Sequence, residues 1–187
     1  MAVSDIRLYT DFELQKMFEE LPEFRKVKAG RYKYTKDRDL KTLAFHMLCQ
    51  LLNTTPLSFK VNQHGKPSLV EEDLAHSSFT HFSLSTSGTK AMVAVSHTAP
   101  VGADIEQVRA VEDGVIECAC SDQEMDALAA VEDSVQRRRA FFELWTSKEA
   151  YSKALGTGLS PDIRGIPSDR ALTLLEDGYC LAVAVAG

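Results

Sequence analysis

No apolar run in this 187-residue chain approaches the ~18–20 residues of a membrane-spanning helix. The opening MAVSDIRLYT has neither a basic stretch nor an apolar core, so no secretory leader is expected and the chain is expected in the cytoplasm, away from membranes. A basic excess is missing too. Twenty-one Lys and Arg stand against 27 Asp and Glu, for a net charge of −6. That balance argues against nucleic acid as the main partner and leaves room for a local basic patch. Cysteine is sparse: Cys49, Cys118, Cys120 and Cys180. Cys118 and Cys120 flank a single alanine, too tight for a zinc site, and no histidine cluster accompanies them. Small buried or half-buried thiols in a reducing cytosol are expected. No unit of 20–50 residues repeats, which sets solenoids aside.

What is present is ordinary for a folded soluble protein: 44 % hydrophobic and 26 % charged residues. Disorder, a collagen repeat and a whole-chain coiled coil are excluded. The length suits one domain or two small, tightly joined halves. Ile6–Thr10 alternates weakly and predicts a first strand. Leu40, Leu43, Ala44, Met47, Leu48 and Leu51 recur at helical spacing, with Thr35 as N-cap and a stop over Asn53–Pro56. NQHGKP at 62–67 predicts a turn. Strands are predicted around Phe79–Leu84 and Ala91–Ser96, joined by a turn at Ser85–Gly88, and again over 101–108. Ser121 to Glu124 is a capping-box pattern. A long helix follows, capped by Ser134 and stopped at Gly156, with Phe141, Leu144, Tyr151 and Leu155 as its buried stripe. Two strands around Asp177-Gly178 close the chain. The class is α+β.

Two segments carry chemistry. In a strand, Asp104 and Glu106 share one face. Adjacent carboxylates repel unless a cation lies between them or solvent screens them. In the long helix, Trp145, Glu149 and Lys153 share a face at i, i+4, i+8, as either a surface ion pair or part of a site. Oxygens from Asp104, Glu106 and Glu149 would suit Mg²⁺. Separately, Arg25 to Lys41 holds eight basic residues and reads as an anion site or as a solvated face.

VGADIE at 101–106 and WTSKEAYSKALGTGL at 145–159 resemble the two signature motifs of the 4′-phosphopantetheinyl transferases. His64-Gly65-Lys66-Pro67 is similar to that family's GKP segment, and FSLSTSG at 82–88 to its F-x-x-S-H-S turn. YTKDRDLKTL at 34–43 is similar to a helix start in the larger, surfactin-synthetase-activating type. The resemblance implies a phosphopantetheinyl transferase fold with two similar halves, each a helix on a small antiparallel sheet. Residues 1–99 would make the coenzyme A nucleotide contacts, and 100–187 would carry the metal and catalytic residues. The active site would lie in the cleft between them. The chain is somewhat short for the larger type, which works as a monomer, and the shortfall falls after Pro161.

Members of that family move the phosphopantetheine arm of coenzyme A to a serine of an apo acyl or peptidyl carrier protein, releasing 3′,5′-ADP. By resemblance, Asp104, Glu106 and Glu149 would hold Mg²⁺, or Mn²⁺, against the coenzyme A pyrophosphate. Glu149 would be the base for the carrier serine, and Lys153 would serve the leaving group. Lys148 would touch phosphate. Lys66, Ser85, Thr86 and Ser87 would bind the nucleotide end, and Lys28 and Lys41 the 3′-phosphate. Thr86 departs from the family's histidine and implies weaker coenzyme A binding, with Lys90, His76 or His81 as compensating groups. Residues 107–127 would be a carrier-docking surface or only a cap over the core. The competing readings are a degenerate member that binds carrier or coenzyme A without transfer, and a Mg²⁺-dependent pyrophosphate hydrolase.

Overall fold

The computed structural model describes residues 1–56, 58–158 and 163–187. Two three-stranded antiparallel sheets, each crossed by one long helix, organise it. Strands β1 (Ala2–Asp5), β4 (His81–Ser87) and β5 (Lys90–Ser96) form the first sheet in the order β1-β5-β4. Helix α3 (Thr35–Leu52) packs on it through Leu43, Ala44, Met47, Leu48 and Leu52. Helices α1 (Asp11–Glu19) and α2 (Glu23–Ala29) lead into α3. A short hairpin of β2 (Phe59–Val61) and β3 (Pro67–Leu69), then the single turn α4 (Glu71–Leu74), connect it to β4.

The second sheet has the order β6-β8-β7, with β6 at Val101–Gln107, β7 at Ala171–Glu176 and β8 at Tyr179–Val185. Between β6 and β7 run α5 (Asp113–Ala119), α6 (Asp122–Ala129) and the 22-residue α7 (Ser134–Leu155). A 3₁₀ turn at Ile163–Gly165 follows α7. Met92 and Ala94 of the first sheet pack against Ala103, Ile105 and Leu181 of the second, so the two sheets share a core.

One glycine sets how closely α7 lies on β6. A methyl group at Gly102 would overlap the carbonyl oxygen of Ala150 and the amide nitrogen of Ala154. Strand and helix touch there backbone to backbone, and only glycine fits.

Several local expectations shift. The first strand is Ala2–Asp5; Ile6–Leu8 is a 3₁₀ turn, capped by Asp5 accepting from the Arg7 amide. Tyr34, not Thr35, is the N-cap residue of α3. Asp133, not Ser134, caps α7, accepting from the Gln136 amide at 2.7 Å. The capping box at Ser121 and Glu124 forms as expected. The turn after β4 is shorter than expected, because β4 runs on through Ser85, Thr86 and Ser87 and only Gly88-Thr89 turns. Leu155 is 48 % exposed, outside the buried face of α7. That face holds Thr146, Ser147, Lys148, Glu149 and Ser152 beside Phe141, Phe142, Ala150 and Ala154. Cys118 is exposed, whereas Cys120 and Cys180 are buried. Among the described residues, no helix is long and apolar enough to cross a membrane.

Candidate active site

Asp104 and Glu106 point from β6 toward β4, while Ala103 and Ile105 of the opposite face enter the shared core. The two strands meet through a ladder of serines on one face of β4. Ser83 Oγ accepts from the Ala103 amide at 3.0 Å. Ser85 Oγ donates to Asp104 Oδ1 at 2.7 Å. Ser87 Oγ donates to Glu106 Oε2 at 2.8 Å and accepts from the Gln107 amide at 3.1 Å. Ser85 and Ser87, expected at coenzyme A, hold the two acids in this structure. Period-two alternation explains why all three serines take part.

Helix α7 brings the third acid. Lys153 Nζ reaches Asp104 Oδ1 at 2.5 Å and Ser85 Oγ at 3.2 Å. Glu149, one turn earlier, is 8 % exposed. Burial, with the charges of Asp104 and Glu106 added and Lys153 opposing, pushes its carboxyl up to about 7. Burial and the Asp104 charge likewise raise Glu106. Asp104 Oδ2 and Glu149 Oε1 are buried without a hydrogen-bond partner. Three acids that repel one another, with unmatched oxygens in a place water hardly reaches, suit a hard cation with oxygen ligands. Among the described residues no three such groups already converge as a finished metal cage. Lys153, seated on Asp104, supplies the positive charge there. The donor set thus fits a divalent ion, which Asp104, Glu106 and Glu149 would hold.

Lys148 is not part of this group. It is 1 % exposed and turned toward the far side of α7, where it meets Glu124 Oε2 and the Ala119 carbonyl. The expected phosphate contact is corrected: its donors are used inside the protein.

A cleft of about 270 Å³ opens beside the acids, lined by Lys66, Pro67, Phe82, Glu149, Ser152 and Lys153 among others. Lys66 crosses it from the β2–β3 hairpin and donates to the carbonyls of Ala154 at 3.0 Å and Val101 at 3.2 Å. An ammonium at the C-terminal end of α7 meets its negative pole. Asn62 ties the same hairpin to the Gly156 carbonyl at 2.8 Å. Leu159, the last residue of the second motif, lies outside the described residues, as does the Pro161 after which the shortfall was placed.

Cations gather on the α3 side of β4. Thr86 faces α3, and Lys41 Nζ donates to its hydroxyl at 2.7 Å. Burial, then the positive charges of Lys153, Arg25 and Lys28, lower the Lys41 pKa. Arg25 lies with its guanidinium over the Phe45 ring at 4.8 Å, and its Nε is buried without a partner. Like charges placed together and short of acceptors favour a bound anion. Arg25 belongs to the basic segment but escaped notice as a site residue. Lys41 thus sets a cation beside Thr86, the position at which the family resemblance led to a histidine being expected. Lys90 is engaged elsewhere, with Asp177 and over the Tyr179 ring.

The sequence model of the 4′-phosphopantetheinyl transferase superfamily matches residues 100–176. The 4′-phosphopantetheinyl transferase HetI of Nostoc sp. is 33 % identical over 148 residues, 70 % of this chain and 61 % of that protein. The 4′-phosphopantetheinyl transferase gsp of Aneurinibacillus migulanus is 34 % identical, over 67 % of this chain and 50 % of its own length. The 4′-phosphopantetheinyl transferase psf-1 of Bacillus pumilus is 32 % identical over 179 residues, 90 % of this chain and 72 % of its own. The chain thus spans about half to three-fifths of the first two and nearly three-quarters of the third.

Proposed function

The chain belongs to the 4′-phosphopantetheinyl transferase superfamily, and from that premise we propose that it transfers the phosphopantetheine arm of coenzyme A to a serine of an apo carrier protein. The observation that carries the reading is the meeting of Asp104, Glu106, Glu149 and Lys153 at the β4–β6 seam, with two carboxylate oxygens left unmatched.

In this reading Glu149 takes the proton of the carrier serine, whose oxygen attacks the β-phosphorus of coenzyme A. Without a metal, burial and the neighbouring acids raise this carboxyl; Mg²⁺ would favour its ionised form, ready to accept that proton. The bond from that phosphorus to the oxygen of 3′,5′-ADP breaks, and Lys153 stabilises the charge left on the departing phosphate. Mg²⁺, or Mn²⁺ in its place, would be held by Asp104, Glu106 and Glu149 and would neutralise the pyrophosphate. Lys41, Lys28, Arg25 and the Thr86 hydroxyl would take the 3′-phosphate. Lys66 would face the nucleotide across the cleft. All of these residues belong to one chain, and in this reading the protein acts as a cytoplasmic monomer.

The carrier would dock on the groove of about 360 Å³ between α5, α6 and α7, whose floor is Ile116, Met125, Leu128 and Phe141. Apolar contact suits it better than charge, because the acids Asp113 and Glu117 line it. Arg137 and Arg138 at the rim offer the exception.

The test is direct. The protein is incubated with coenzyme A, Mg²⁺ and a panel of apo carriers, which are then weighed by intact-mass spectrometry. A carrier that gains one phosphopantetheine, and fails to gain it in EDTA, supports the reading. No gain on any carrier, with coenzyme A binding measured separately, replaces it with a non-catalytic binding role. Release of 4′-phosphopantetheine without carrier would point to a hydrolase.

A further inference from the structure

Lys148 and Glu149 are sequence neighbours and leave α7 about 100° apart. Glu149 turns to the cleft; Lys148 turns to the opposite wall, where it is almost wholly buried. Its ammonium reaches three separate segments. It donates to Glu124 Oε2 in the first turn of α6 at 2.6 Å, to the Ala119 carbonyl at the end of α5 at 2.9 Å, and to the Arg164 carbonyl at 3.4 Å. Arg164 ties the same corner from outside, through Cys120 O at 2.9 Å and Asp122 Oδ1 at 2.7 Å. Glu124 also closes the α6 capping box, accepting from the Ser121 amide at 2.8 Å and hydroxyl at 3.1 Å. One ammonium therefore joins the helix of the base, the α5–α6 corner and the 3₁₀ turn.

Stability alone is a poor reason for such an arrangement. A buried ion pair often contributes no more than well-packed apolar residues of the same volume. What it supplies is a unique geometry, since each donor must find its acceptor. The corner it fixes, Ala119–Glu124, lies between Ile116 and Met125 of the apolar groove.

We propose that Lys148 is a positioning residue that sets the distance and angle between the carrier-docking wall and Glu149. A carrier seated on α5 and α6 then presents its serine hydroxyl to the base. This rests on the transferase reading above. A misplacement of about 1 Å at a reacting group costs up to about a hundredfold in rate, so loosening the corner is expected to act on the carrier reaction and to spare coenzyme A.

The test uses Lys148→Met and the double variant Lys148→Met/Glu124→Leu, which removes both charges and refills the space. Three quantities are read: kcat/KM for an apo carrier, calorimetric affinity for coenzyme A with Mg²⁺, and melting temperature. Amide exchange over Ala119–Glu124 reports the corner itself. The assignment expects Lys148→Met to lose about tenfold or more in carrier kcat/KM. It expects coenzyme A affinity within about twofold of wild type and faster exchange at the corner. The double variant should recover melting temperature without recovering carrier kcat/KM. Parallel loss of coenzyme A affinity, or full return of carrier kcat/KM once the melting temperature returns, overturns it. A wild-type protein that modifies no carrier overturns the transferase reading itself, and this role with it; a wild type that transfers beside a variant that transfers equally well overturns the positioning role alone.

Discussion

Helices α3 and α7, of 18 and 22 residues, each lie across a three-stranded antiparallel sheet. They differ in what they bury. Helix α3 sends Leu40, Leu43, Phe45, Met47, Leu48 and Leu52 inward, and its buried polar residues are Asp39 and Thr42, the latter bonded to its own helix at the Arg38 carbonyl. Helix α7 buries Thr146, Ser147, Lys148, Glu149 and Ser152 along with its apolar residues. The same architecture thus serves once as scaffold and once as a holder of charge. An apolar stripe gains from burial whatever its neighbours, whereas each buried polar group needs a partner in a definite place. The partners of Lys148 and Lys153 come from β4, β6, α5, α6 and the 3₁₀ turn, which is how the first sheet enters the chemistry of the second.

Substitutions on the two helices should separate these roles. The largest effect is expected from Glu149→Gln, which keeps the shape and removes the base: carrier modification should fall by about a thousandfold or more, with the metal-free melting temperature unchanged or higher. Retention of near-full rate, read by intact mass of the carrier, would remove Glu149 from the chemistry. Leu48→Ala is the counterpart on α3. Leu48 is wholly buried, and its truncation should cost about 2–5 kcal/mol in denaturant unfolding. The kcat of the protein that stays folded should not change; a drop in kcat would mean that the packing of Leu48 reaches the chemistry, beyond the one contact α3 makes through Lys41.

The pH dependence of stability sharpens the contrast. Glu149 has an ordinary value of 4.5 and sits near 7 in the folded chain. Between those values the folded form keeps a proton that the unfolded form has lost. Without divalent ions, stability should therefore fall as pH rises from about 5 to 7, by on the order of 3 kcal/mol. Mg²⁺ should flatten the fall by favouring the ionised carboxylates, and Glu149→Gln should remove most of it. A flat metal-free profile would contradict the burial argument. The smallest effect belongs to Thr86→His. A second cation beside Lys41 should lower the coenzyme A KM by about three- to tenfold with kcat unchanged. An unchanged KM would show that Lys41 already suffices.

Much of the site was legible in the residues. Strand periodicity put Asp104 and Glu106 on one face, and helical spacing put Glu149 and Lys153 one turn apart, because both rules are local. The stop at Gly156 and the box at Ser121 and Glu124 were local as well. Less legible was whatever depends on distant partners. A lysine in a helix reads as solvated charge, and only Glu124, far off in the chain, makes Lys148 a buried one. Ser85 and Ser87 have the composition of a turn, yet pairing with Met92 and Lys90 of β5 draws them into a strand, and their hydroxyls then reach the acids of β6. Arg25 was one of eight cations in a run, and the Phe45 ring beneath it comes from the following helix, α3.

The contact at Gly102 has a practical consequence for anyone diversifying this protein. Residues 104 and 106 project from the same strand that the glycine lets rest on α7, so the gap between them and Glu149 is measured by an atom that is not there. A combinatorial library could vary exposed groove positions such as Asp113 and Glu117 for new carriers with some freedom. At position 102 even alanine would lift the helix from the strand, and selection for turnover should return glycine from every pool in which that codon is randomised.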